Sequence, residues 1–135
     1  MRKTAYGFLI LVFVILSALI TGCTGHQYDT LEDFLEGEEM QSLIEEDKSA
    51  LVDSGLSLEV TSRENQLIYT YTYSQTLEVE TAKDILKEGM EAEWDVFQKF
   101  ADDVKKSVKV ENPVVVVRYL NPDGTEIYSE TFSAE

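Results

Sequence analysis

"VVVVRYLNPDGTEIYSETF", Val114–Phe132, reads as two strands joined by a turn. Asn121, Pro122, Asp123 and Gly124 each stand where a type I turn favours them. With Gly124 left-handed, the connection is a three-residue hairpin loop with a bulge. Counting back from Asn121 opposite Thr125 puts Tyr119 opposite Ile127 and Val117 opposite Ser129. The other face then pairs Arg118 with Tyr128, Val116 with Glu130 and Val114 with Phe132. An unpaired guanidinium is costly to bury, so this second set is expected on the open face of the sheet. Val114, Val116, Arg118, Tyr128 and Phe132 would form a mixed apolar patch with one cation. That patch is the candidate interaction face, since Arg and Tyr favour interfaces. Ordinary packing on a solvated sheet face is the plain alternative.

A second hairpin lies upstream in "LSLEVTSRENQLIYTYTY", Leu56–Tyr73. Both halves alternate with period two. A tight turn at Glu64 and Asn65 makes Val60 oppose Tyr69 and Leu58 oppose Tyr71. Opposed residues share a face, so Tyr69, Tyr71 and Tyr73 are expected toward the core. An aromatic binding strip on the open face remains the alternative.

Helical patterns precede each hairpin. Thr30, with Asp33 three residues on, resembles a capping box. Leu31, Phe34 and Leu35 make one apolar turn, and Gly37 interrupts. Met40, Leu43, Ile44, Leu51 and Val52 continue at helical spacing until Gly55 caps the segment. Thr81 to Val108 reads as one long helix, with Ile85, Leu86, Gly89, Met90, Phe97, Phe100, Ala101 and Val104 on one half of the circle and Trp94 at its margin. Lys105, Lys106 and Lys109 gather at its C-terminal end, where cations suit the helix dipole. The order helix, hairpin, helix, hairpin predicts an α+β fold of two layers (αββαββ). Its four-stranded antiparallel sheet would carry the helices on one face.

The N-terminus is of another kind. Ala5 to Ile20 is sixteen residues without a charge, preceded by Arg2 and Lys3 and followed by small residues. A positive start, a short apolar core and a small-residue exit describe a secretory signal peptide. A spanning helix needs about 20 apolar residues, so an uncleaved anchor is the competing reading. Ile20, Thr21, Gly22 and Cys23 resemble a bacterial lipobox. That resemblance implies cleavage before Cys23 and a diacylglycerol on its thiol. A two-chain anchor is physically sufficient, whereas one chain binds only marginally. The expected organisation is a signal peptide at 1–22, a lipidated cysteine and short tether at 23–29, and one acidic domain at 30–135. Thr24 to Tyr28 gives the tether roughly 12 Å of flexible reach.

Removing Arg2 and Lys3 from the 11 basic residues leaves 9 against 26 acidic ones, a side-chain balance of −17. Such a surface argues against nucleic acid, whose phosphates demand Lys and Arg, and against the domain lying flat on anionic lipid. It fits a solvated, self-repelling surface, or an affinity for cations or a basic partner. With Cys23 modified, no thiol remains for a disulfide or a nucleophile. His26 is the lone histidine and lies in the tether, so no Ser-His-Asp arrangement and no His-based zinc site can form. No phosphate-cradling glycine loop occurs. "NPDGTE" offers calcium-friendly oxygens but lacks the spaced acidic ladder, and the turn accounts for it. Glu38, Glu39, Glu45, Glu46, Asp47, Asp102 and Asp103 fall on helical stretches, mainly on polar faces. A pair of carboxylates could serve a hydrolase, but a solvated surface explains them more simply.

"TLEDFLEGEEMQSLIEE", "LEVTSRENQLIYTYTY" and "ENPVVVVRYLNPDGTEIYSETF" together resemble a family of small proteins of Gram-positive bacteria. That family is described as lipoproteins and catalogued as a domain of unknown function. The resemblance spans nearly all of residues 30–132. It implies secretion and an α+β fold, and it brings no catalytic or binding residue. This chain departs from it in being especially acidic. The expectation is therefore a non-enzymatic binding or interaction module, lipid-anchored at the outer face of the bacterial cytoplasmic membrane. No cofactor or metal is expected, and a protein or cell-wall partner would dock on the sheet. A small carboxylate-dependent envelope hydrolase and a structural acidic envelope component are the alternatives. Oligomeric state stays open.

Overall fold

The computed structural model describes residues 28–134. The expected signal peptide at 1–22, the lipobox-like Ile20, Thr21 and Gly22, and Cys23 and His26 lie outside them. Eight elements follow in order: α1 Leu31–Glu36, α2 Glu38–Leu51, β1 Leu56–Arg63, β2 Gln66–Tyr73, α3 Val79–Ala92, α4 Trp94–Ser107, β3 Val114–Leu120 and β4 Glu126–Ser133. The strands form one sheet in the order β1-β2-β3-β4.

Local chemistry sets most boundaries. The Thr30 hydroxyl accepts from the Asp33 amide at 3.0 Å, which satisfies one orphan donor at the start of α1. Gly37 adopts extended backbone and separates α1 from α2. Glu78 caps α3, accepting from the amides of Glu80 and Thr81; these bonds hold its carboxyl below the usual range, the largest contribution coming from the Thr81 hydroxyl.

The expected single helix over 81–108 is two. Glu93 leaves helical geometry and ends α3 as α4 begins. Length supplies the reason. Twenty-eight helical residues would run about 42 Å at 1.5 Å each, while an eight-residue strand spans only about 27 Å. The break lets both apolar faces stay over the sheet.

The sheet is mixed, which corrects the antiparallel expectation. β1 and β2 are antiparallel, as are β3 and β4, but β2 and β3 run parallel, Gln66 beside Val114 and Thr72 beside Leu120. The crossover is the cause. α3 and α4 carry the chain along the sheet from the end of β2 back to the level of its start, so β3 must set off in the same direction. The α+β class holds, with helix pairs in place of single helices.

α1 and α2 pack over β1, and α3 and α4 over β4. Between them lies one apolar cluster, filled from the sheet by Leu58, Tyr69, Tyr71, Val115, Val117 and Tyr119. All of these belong to one face of the sheet, so the helices form a single layer. Tyr71 and Tyr119 stack at 5.0 Å across the parallel pair, and Phe100 of α4 meets Tyr69 edge-on at 5.7 Å. Both chain ends of the described region lie at the same end of the sheet. There Tyr28 pairs with Val108 in a short parallel bridge: its amide donates to the Ser107 carbonyl and its carbonyl accepts from the Lys109 amide, both at 2.9 Å.

Candidate functional site

The two hairpins bring out the two faces of the sheet differently. In the first, Val60 opposes Tyr69 and Leu58 opposes Tyr71, as the tight turn predicts. Tyr69, Tyr71 and Tyr73 are 2–3% exposed and face the helices, which removes the open-face aromatic strip.

In the second hairpin the turn forms as expected. The Gly124 amide donates to the Asn121 carbonyl and the Asn121 amide to the Thr125 carbonyl, with Gly124 at φ +91°. Leu120 then pairs with Glu126, but an irregularity follows and Tyr119 pairs with Tyr128. Ile127 is the extra residue of this bulge. Both Ile127 and Tyr128 are buried as a result. Beyond the bulge, every β4 side chain changes face relative to the expected register. Val117 now opposes Glu130, Val116 opposes Thr131, Val115 opposes Phe132 and Val114 opposes Ser133.

The candidate face therefore divides. Val114, Val116 and Arg118 are half-buried on the open face. Tyr128 and Phe132 are not there. Phe132 is 1% exposed, stacked on Phe97 at 5.1 Å and covered by Trp94 at 4.6 Å. Tyr128 donates its hydroxyl to Glu130 at 2.6 Å. Burial, then this hydrogen bond and the charges of Glu130 and Glu91, push its phenol well above the ordinary value.

The observed open face runs across all four strands. Its centre is Ile68, Thr70 and Thr72 on β2 beside Val116, Arg118 and Leu120 on β3, all half-buried. Flanking positions on β1 and β4, among them Ser57, Glu59, Thr61, Ser129 and Thr131, are polar and exposed. Arg118 sits between Thr70 on one side and Ser129 on the other. Its Nε is shut off from solvent and has no hydrogen-bond partner. Thr70 and Ser129, directly beside it, are short hydroxyl side chains, and neither satisfies that nitrogen. Val116 and Leu120, two residues to either side of Arg118, keep this cation in an apolar setting.

One carboxylate expected on a polar helix face is buried instead. Asp47 is 8% exposed. It completes the stripe Met40, Ile44, Asp47, Leu51 on the buried side of α2, while Val52, counted in the apolar pattern, is 75% exposed. The spacing i, i+4, i+7, i+11 was a readable signal. Burial first, and the Glu46 charge second, push its carboxyl up to about 7. Its charge acts on Tyr69 and Tyr71, whose phenols burial already pushes well upward. Among the described residues no three His, Cys, Asp or Glu side chains gather as a metal site would require, and no described helix is long and apolar enough to cross a membrane.

No curated protein sequence and no solved structure matches the chain significantly. One family model does, and it covers residues 31–132. That span takes in every element from α1 to the buried Phe132 of β4. The chain belongs to the family described as Domain of unknown function (DUF4854).

Proposed function

We propose that this chain is a membrane-anchored extracytoplasmic lipoprotein that acts as a non-enzymatic binding module through the open face of its sheet. The observation that carries the docking part is Arg118. A cation whose Nε is desolvated and unpaired, within the half-buried patch of Ile68, Val116 and Leu120, loses stability that an acceptor on a partner would restore. The partner is a protein or cell-wall surface offering an apolar patch and a carboxylate or carbonyl oxygen for that guanidinium. The lipoprotein part rests on the run from Ala5 to Ile20 and on Ile20, Thr21, Gly22 and Cys23.

The docking test is in-cell photocrosslinking from Thr70, which neighbours Arg118 across the parallel pair. Arg118→Glu together with Val116→Ser should lower recovery of the crosslinked species about ten-fold or more, as loss of a desolvated charge contact does. Unchanged recovery removes the face from the proposal. For the anchor, Cys23→Ala should release the protein from the membrane or leave an unprocessed precursor without lipid. An uncleaved, membrane-held protein would favour the spanning reading.

A further inference from the structure

The open face of the sheet differs in charge from the rest of the molecule. Its charged side chains are Glu59 and Arg63 on β1, Arg118 on β3 and Glu126 on β4, two of each sign. The other 24 of the 26 carboxylates and 7 of the 9 cations in residues 23–135 lie elsewhere. Loops at the rim of the face add Glu64, Glu111 and Asp123, where water and salt screen them. The face itself is therefore balanced within an acidic chain. A basic partner would be drawn to the other surfaces, and an acidic one meets no net positive charge here. A surface of the same mixed constitution fits, and a second copy of the chain supplies one. We infer that the open face docks on the open face of a second copy, with Arg118 of each against Glu59 of the other. This rests on the membrane-anchored, face-docking reading above and names its partner.

Register fixes how the two faces meet. Glu59, Thr70, Arg118 and Ser129 form one row across β1, β2, β3 and β4. Ile68 lies beside Val116 in the row before it, and Thr72 beside Leu120 in the row after. Packed sheets lie about 10 Å apart with their strands within about 30°. A two-fold axis between the sheets, along the strands and midway between β2 and β3, sets β3 of one copy over β2 of the other. Each row then meets itself. Arg118 stands over Thr70 of the second copy and one strand from its Glu59, with Cα atoms about 11 Å apart. An Arg and a Glu side chain reaching toward each other span that gap. The contact occurs twice, as isologous symmetry requires. It offers a carboxylate to the Arg118 Nε, which has no hydrogen-bond partner within the chain. In the same arrangement Val116 covers Ile68 and Leu120 covers Thr72.

The N-terminus suits this axis. Tyr28 is bridged to Val108, shortly before β3 begins. An axis along the strands keeps that end of both copies together. An axis across the strands would set the two at opposite ends, a strand length or about 27 Å apart. The five residues from Cys23 to Tyr28 span at most about 18 Å, so two tethers in one bilayer favour the first axis. Four strands of seven or eight residues give each face a footprint of about 500 Å². The pair buries about 1,000 Å², the lower end for a specific interface. Anchoring both copies in one membrane raises their effective concentration, which suits so small a contact.

The test uses the membrane-purified protein in phosphatidylcholine vesicles with a short bismaleimide. Thr72→Cys lies on the face beside the axis, and Lys83→Cys is exposed on α3. The unaltered chain reports background through Cys23. Position 72 should give crosslinked dimer well above position 83, since the axis sets the two Thr72 Cα atoms about 11 Å apart. With Thr72→Cys present, Arg118→Glu or Glu59→Arg alone should cut the dimer about ten-fold, as reversing a charge contact does. Mixing the two variants, differently tagged, should restore a mixed dimer, because each supplies the charge the other lacks. Equal yields at 72 and 83, reversals without effect, or variants folded by circular dichroism that mixing does not restore overturn the inference. Should a variant unfold, raising salt on Thr72→Cys alone decides: the yield should fall, and a constant yield overturns the charge pairing. The photocrosslinking from Thr70 separates the two readings. Arg118-dependent capture of another molecule, with no dimer at position 72, overturns the second copy alone. Loss of both overturns the face itself.

Discussion

The two hairpins are close relatives in pattern and unlike in outcome. β1–β2 turns at Glu64 and Asn65 with an unbroken ladder from Arg63–Gln66 to Leu56–Tyr73. β3–β4 turns at Asn121–Gly124 and then takes in one extra residue. That single residue moves Tyr128 and Phe132 from the open face into the core. Side-chain period in a strand is two, so a slip of one reverses every position after it. Burial of two aromatic rings rewards the slip, because each ring removes a large apolar area from water. The open face of this hairpin is left with Val114, Val116, Arg118 and Leu120 beside Ser129, Thr131 and Ser133.

The largest effect that would break this contrast is at Phe132. Phe132→Ala should cost about 3–5 kcal/mol, the usual loss for a buried ring, read as a lower urea midpoint. Val116→Ala, on the open face two residues from Arg118, should cost less than about 1.5 kcal/mol. Equal costs would mean that the bulge is absent and that the simple register holds.

A second effect lies beneath the first hairpin. Asp47 is half-protonated at about pH 7 in the folded protein and near 3.8 when unfolded. Its folded value is the higher one, so its stability contribution is intact below pH 3.8. It declines as pH rises and is lost once pH passes about 7. The groups facing it are Glu46 on its own helix and Tyr69 and Tyr71 on β2. Asp47→Asn should therefore be more stable than the parent at pH 8, by about 2 kcal/mol once solvent access to the carboxyl is discounted. The gap should close by pH 3. Melting curves across that range read it directly, and a constant gap would separate Asp47 from the buried layer.

The smallest effect is in the turn that precedes the bulge. Gly124 has φ +91° and open space around it. Gly124→Ala should cost about 1 kcal/mol from backbone strain alone, with no loss of packing. A larger loss, together with altered amide exchange along β4, would show that the turn and the bulge form as one unit.

These cases indicate how much was legible. The alternation of Leu56–Tyr73 carries its own register, because both strands are amphipathic and only one pairing joins their apolar sets. Val114–Val117 is apolar on both faces, so it accepts either register of β4, and turn chemistry alone left out the bulged residue. The break at Glu93 is set by the length of the sheet beneath it, which no property of Glu93 announces. Parallel pairing of β2 with β3 follows from where the crossover ends, a tertiary fact. Arg118 was correctly placed on the open face, since the cost of burying it favoured only one side. At Asp47 the residue type suggests solvent while the spacing with Met40, Ile44 and Leu51 points inward.

Tyr28 adds a mechanical consequence. A pull on the chain from its N-terminal side is loaded first onto two backbone hydrogen bonds, to Ser107 and Lys109. The same pull acts on a ring held edge-on against Phe34 and so close to Gly37 that an added Cβ would sit 2.8 Å from its hydroxyl. The force passes into the last turn of α4 and the first helix, and the sheet is reached last. Tension from the N-terminal side would thus be absorbed by a small latch before it could unzip a strand.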